Sequence, residues 1–116
     1  EEKRLLFPDL EEVHTVEILS LDQMLEKFTL EAIFTPGHSP ASLSFYCKEE
    51  KFLIAGDVLF RESIGRTDLP GGSMEVLKKT IMDRMFSLPD NTVVYPGHGP
   101  TTTIGEEKRT NYILQF

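Results

Sequence analysis

Phe52-Leu53-Ile54-Ala55-Gly56-Asp57 is the stretch from which the rest of this chain is read. Four apolar residues run unbroken into a glycine and a single carboxylate. A short apolar run closed by Gly predicts a strand buried on both faces. Asp57 then stands where the strand leaves its sheet, and ligands of open α/β sheets gather at such carboxyl ends. A similar corner lies on either side in sequence. Thr35-Pro36-Gly37-His38-Ser39-Pro40 follows the stretch Leu30 to Phe34, and Tyr95-Pro96-Gly97-His98-Gly99-Pro100 follows Val93-Val94. Each presents one His from a Pro-Gly turn fenced by a second Pro. His38, Asp57 and His98, each at a strand end, make a convergent set for a metal that takes imidazole and carboxylate.

Composition narrows the classes. The chain has 116 residues, enough for one domain, and is 40% hydrophobic. Twelve basic against nineteen acidic side chains give a net charge of -7. That balance argues against a nucleic-acid partner, because phosphate recognition needs clustered Lys and Arg. The one dense basic pair, Lys108-Arg109, follows Glu106-Glu107 and reads as a solvated helix face. Cys47 is the single cysteine, so no intramolecular disulfide forms, and a reducing, cytoplasmic setting is expected. No run is long enough to span a bilayer and no signal peptide is seen, so no membrane partner is expected. The sequence opens Glu-Glu-Lys-Arg without Met, which suggests a fragment or a processed piece.

Residues 1–12, charged and broken by Pro8, read as a lead-in or linker; residues 13–116 read as the folded part. Val13 to Leu19 alternates as a strand would, and His14 on it is a half-exposed strand residue, with no partner ligand nearby. Leu21 to Lys27 has weak helical or turn character. Thr29 to Phe34 is the next strand. Ala41 to Cys47 alternates, with Leu43, Phe45 and Cys47 facing one way, so Cys47 packs and does no chemistry. Lys48-Glu49-Glu50-Lys51 is a tight turn, which makes the strands on either side antiparallel. Arg61 to Gly72 reads as a long irregular loop, of the kind that often carries function. Within it, Arg66 and Asp68 either form an ion pair that merely folds the loop or shape a pocket wall. Ser73 is an N-cap, and Met74, Leu77, Ile81, Met85 and Leu88 recur at helical spacing, predicting a helix over Ser73–Ser87. Thr92 to Tyr95 is a short strand. Thr103-x-x-Glu106 is a capping box that opens a last helix, Thr103–Leu114.

Together these motifs resemble the metallo-β-lactamase superfamily, and within it the small glyoxalase II-like hydrolases. Four elements carry the resemblance in order and spacing: Thr35-Pro-Gly-His38-Ser-Pro, Gly56-Asp57-x-Leu-Phe60, Gly65-Arg-Thr-Asp-Leu-Pro-Gly-Gly72 and Val94-Tyr-Pro-Gly-His98-Gly-Pro100. They span about Thr29 to Asn111. One small departure is Ala41, where the family usually has Gly. The resemblance implies two metal ions, usually zinc, sometimes iron or manganese. It implies His38 as a ligand of the first, His98 as a ligand of the second and Asp57 as the bridge. It further implies a water acidified by both metals as the nucleophile, with the metals polarising a thioester carbonyl. Arg66 is a candidate substrate-binding residue.

The family's other ligands come from a His-x-His-x-Asp-His motif in its N-terminal half, and this sequence has none. The resemblance therefore implies the C-terminal half of an αββα sandwich: an α/β fold with a mainly antiparallel sheet and both helices on one face. The far face should expose apolar residues, Leu43 and Phe45 or their opposite-face neighbours among them. A dimer, or contact with the N-terminal half of the parent chain, is expected there. By the same resemblance the parent hydrolyses thioesters of the S-acyl-glutathione type, and this chain alone is inactive. Two alternatives stand beside it: an iron-dependent persulfide dioxygenase, and a non-catalytic half-domain that binds a partner.

Overall fold

The computed structural model describes residues 26–116. The lead-in, the Val13–Leu19 strand with His14, and most of Leu21 to Lys27 lie outside them. The described residues form a five-stranded sheet in the order β1-β2-β3-β6-β7, a separate two-stranded hairpin, β4-β5, and two helices. The strands are β1 (Glu31–Phe34), β2 (Leu43–Cys47), β3 (Phe52–Gly56), β4 (Leu59–Phe60), β5 (Ser63–Ile64), β6 (Val93–Pro96) and β7 (Thr102–Thr103). The helices are α1 (Met74–Thr80) and α2 (Ile104–Thr110).

β3 is central, as its unbroken apolar run predicts. Leu53 and Ala55 are fully buried on one face and Phe52 and Ile54 nearly so on the other. β2 pairs with it antiparallel through the Lys48–Lys51 turn, with Phe45 opposite Ile54 and Cys47 opposite Phe52. Lys51 sits at φ 60, the left-handed conformation such a tight turn demands. The β3–β6 pair is parallel, with Leu53 opposite Val94. Two parallel neighbours cannot be joined by a hairpin, so the chain between them, residues 57–92, crosses over through α1.

Both helices pack on one face. Leu53, Ala55 and Val94 of the sheet share one core with Leu77, Ile81 and Met85 and with Ile104 and Ile113. The other face is a smaller cluster of Cys47, Phe52 and Ile54 against Phe28, Leu30, Phe45, Val93 and Tyr95, with no helix residue among them. Cys47 is buried there, in agreement with a packing role. Leu43, on the same face, is half exposed.

Four local expectations are corrected. The Ser73–Ser87 helix is α-helical only to Thr80; Ile81–Met85 is a π-helical turn, closed by Phe86 N–H donating to Ile81 O. The wider turn lets Ile81 and Met85 both stay buried. The last helix stops at Thr110, because Asn111 adopts an extended backbone and spends its side chain elsewhere; a 3-10 turn, Tyr112–Gln115, follows. The capping box closes by half. Thr103 Oγ1 accepts from Glu106 N–H, while the Glu106 carboxylate pairs with Arg109 at 2.7 Å. The Arg61–Gly72 loop begins as structure, since Ser63 and Ile64 return along β4 around Arg61-Glu62.

Candidate metal centre

β1 runs antiparallel to β2, and β2 antiparallel to β3, so β1 and β3 point the same way; β6 is parallel to β3. All three therefore release their chains at the same end of the sheet. His38, Asp57 and His98 leave from those three ends, and all three line one cavity of about 420 Å³. Arg66 lines it too, with Phe60, Arg61 and Ser63 of the β4–β5 hairpin. A second hollow of about 360 Å³, bounded by Leu43, Phe45 and Ile54, opens on the helix-free face and also reaches Asp57 and His98.

The Pro-Gly corners have a steric reason. Gly37 has φ +132, and a Cβ there would stand 2.4 Å from the Leu77 backbone. The first corner thus rests directly on α1, and Ser73 N–H donates to Gly37 O at 2.8 Å to seal the contact. A Cβ on Gly97 would stand 2.4 Å from Asp57 Oδ1, and one on Gly65 would stand 2.0 Å from Asp57 O. The carboxylate therefore occupies space that Gly97 leaves open, and the Asp57 carbonyl space that Gly65 leaves open.

The rings are held differently. His38 Nδ1 lies 2.9 Å from Arg66 O. A carbonyl oxygen only accepts, so Nδ1 is the donor in this contact and Nε2 is the ring nitrogen left for other partners. Such a bond behind the ring is how metal-ligating imidazoles are usually fixed. His98 Nδ1 is 3.7 Å from Asp57 Oδ1, and its ring packs on Phe60 with centroids 4.6 Å apart and planes inclined by 37°. Arg66 donates from Nε and Nη2 to the two oxygens of Asp68, at 2.8 and 3.1 Å. That contact raises the guanidinium pKa and lowers that of the Asp68 carboxyl, in both cases chiefly through the hydrogen bond. Both halves of the earlier alternative hold: the ion pair exists, and Arg66 also forms part of the pocket wall.

As a donor set these residues fit a divalent metal in kind, with two imidazoles and one carboxylate beside glycines that clear room for it. They are not gathered tightly enough for one ion. Among the described residues no three His, Cys, Asp or Glu side chains stand close enough together to hold an ion. A catalytic zinc takes three protein ligands, and two ions sharing Asp57 would each find only two here.

Sequence reasoning missed a second polar cluster behind the pocket. Glu107, read as part of a solvated helix face, is fully buried. It accepts from Glu62 N–H at 2.9 Å, from Asn111 Nδ2 at 2.6 Å and from Thr102 Oγ1 at 2.5 Å. The available signal was spacing: Glu107 and Asn111 follow the buried Ile104 by three and seven residues, one helix face. The charges around them masked it.

Comparison with known proteins agrees with this architecture. Hydroxyacylglutathione hydrolase GloC of Haemophilus influenzae is 44% identical over 98 residues, covering 84% of this chain and 44% of that protein. The crystal structure of the BLEG-1 B3 metallo-beta-lactamase superposes with a TM-score of 0.73 at 49% identity, covering 77% of this chain and 43% of that one. The crystal structure of TTHA1623 in a di-iron-bound form gives 0.70 at 42% identity, covering 84% and 48%. The chain thus spans about half or less of the length of the curated relatives it matches. No described helix is long and apolar enough to cross a membrane. The family model of the metallo-beta-lactamase superfamily matches residues 3–98, and with the sheet, the helices on one face and the three strand-end donors in one cavity, this chain belongs to that superfamily.

Proposed function

We propose that the protein to which this chain belongs hydrolyses thioesters of the S-acyl-glutathione type, with His38, Asp57 and His98 as part of a two-metal site. The observation that carries this reading is that all three donors line one cavity, with the His38 Nδ1–H already committed to Arg66 O. His38, Asp57 and His98 would contribute to holding the metals, His38 through its Nε2 side. The remaining donors come from outside the described residues. The metals, zinc or else iron or manganese, would supply Lewis acidity to the thioester carbonyl and to water. Arg66 stands at the wall with its guanidinium oriented by Asp68, where it meets an anionic end of the substrate. The likeness to GloC supports this substrate class.

The test uses the full-length protein. Metal content is measured, followed by turnover of an S-acyl-glutathione, a β-lactam, and a glutathione persulfide with oxygen uptake monitored. Two metal ions per chain with thioester turnover abolished by Asp57→Ala is the expected result. One iron per chain with oxygen consumption would replace this reading by the dioxygenase one. Turnover of the β-lactam alone would overturn it in favour of a lactamase. Metal-free, inactive protein would leave the half-domain reading.

A further inference from the structure

We propose that Glu107, which does not line the cavity, is the positioning residue that sets its wall. The buried Glu107 carboxylate holds the β4–β5 hairpin and thereby orients the imidazole of His98. The geometry begins at Glu62. This residue sits at the hairpin tip with φ 60, a left-handed conformation that a non-glycine residue adopts at a cost. Its backbone N–H donates to Glu107 Oε1. Asn111 Nδ2, which donates to the same oxygen, also reaches Phe60 O at 3.3 Å and Ser63 O at 3.1 Å. One residue on each hairpin strand, and the tip between them, are therefore tied to a single buried pair on α2 and its C-cap. Thr102 Oγ1 takes the other carboxylate oxygen. The carboxylate is fully buried and its only described partners are these donors, so its burial is tolerated through them and they are fixed through it.

The hairpin carries parts that touch both rings. Phe60 packs on His98. Just past β5, Gly65 N–H donates to Val58 O at 3.0 Å, and Arg66 O accepts the His38 Nδ1 proton. A shift of the hairpin would move the Phe60 face against His98 first and the His38 acceptor with it. The orientation of the rings stands on this geometry whether or not they bind metal; its consequence for catalysis rests on the proposed function.

The experiment reads the His98 ring itself, in metal-free full-length protein, by NMR. The Phe60 ring should displace the His98 ring protons by its ring current, and Phe60→Leu identifies that displacement. Glu107→Leu, similar in size and apolar, should remove most of it in protein whose circular dichroism is unchanged. Glu107→Gln should keep it. The amide oxygen still accepts from Glu62 and Asn111, and the amide N–H₂ meets a Thr102 hydroxyl that can turn to accept. Glu106→Gln, a change on the same helix at a partly buried residue that pairs with Arg109 and not with the hairpin, should leave it untouched. If Glu107→Leu does not fold, Glu107→Asp decides, because its carboxylate is one methylene short of Glu62 N–H. A displaced His98 signal in folded Glu107→Asp supports the proposal. An unchanged signal in whichever of the two variants folds would overturn it and leave Glu107 a stabilising residue only. Because no metal enters the readout, a failure here is distinct from a failure of the hydrolase reading.

Discussion

At Gly97 one hydrogen atom decides where a carboxylate can stand. Any larger residue would bring a Cβ within 2.4 Å of Asp57 Oδ1, far inside van der Waals contact. Gly97→Ala should therefore swing the Asp57 carboxylate away from His98 while leaving the buried core intact. We expect zinc affinity of the full-length protein to fall about 10–100-fold, the range seen when the support of a ligand is lost, as measured by competition with a chelator. Unchanged affinity would remove Asp57 from the donor set. The Arg66–Asp68 contact makes a second prediction, in pH. Arg66 lowers the folded-state pKa of Asp68, so the contact is fully present above the ordinary carboxylate pKa and is lost as pH falls through the depressed one. The Asp68 titration followed by NMR should have a lower midpoint in the wild type than in Arg66→Gln. Both side chains are largely exposed, so solvent screens the pair and global stability should barely respond.

At the scale of elements, the turns and helix faces separate stability from function. Lys51 holds a left-handed conformation in the β2–β3 turn, away from the cavity. Lys51→Gly should stabilise the fold by about 0.5–1 kcal/mol in urea unfolding, since the penalty on an L side chain there exceeds the added entropy of Gly. Leu77 has the opposite role. It is fully buried beneath the first His corner, against Gly37. Leu77→Ala should cost about 2–5 kcal/mol, whereas the exposed neighbour change Val76→Ala should stay within about 0.5 kcal/mol. Helix existence was legible from the spacing of Met74, Leu77, Ile81 and Met85 and from the caps Ser73 and Thr103. Helix interiors were not. The π turn and the break at Asn111 arise from contacts distant in sequence, such as Thr80 Oγ1 donating to Pro36 O and Asn111 reaching Phe60 and Ser63.

At the scale of the molecule, the site exists because β1, β3 and β6 point the same way. The prediction proper to this scale is that these 116 residues by themselves hold at most one zinc, weakly, and do not turn over a thioester. Two tightly retained zinc ions per chain after dialysis, with turnover lost in Asp57→Ala, would show that further donors are unnecessary. Much of the rest was readable from local pattern. Strand β3, the β2–β3 hairpin, the N-caps, and the strand-end positions of the candidate donors His38, Asp57 and His98 are set by short-range periodicity, Pro-Gly turns and a strand end, all of which act over a few residues. What only the tertiary structure decided is which ends meet. Sheet order and strand direction put the three donors at the same end of the sheet; the crossover through α1 makes β3 and β6 parallel. The same folding buries Glu107, whose charged neighbours in sequence conceal it, beneath a hairpin some 45 residues earlier. Those outcomes depend on pairing and burial between distant segments, and no local pattern encodes them.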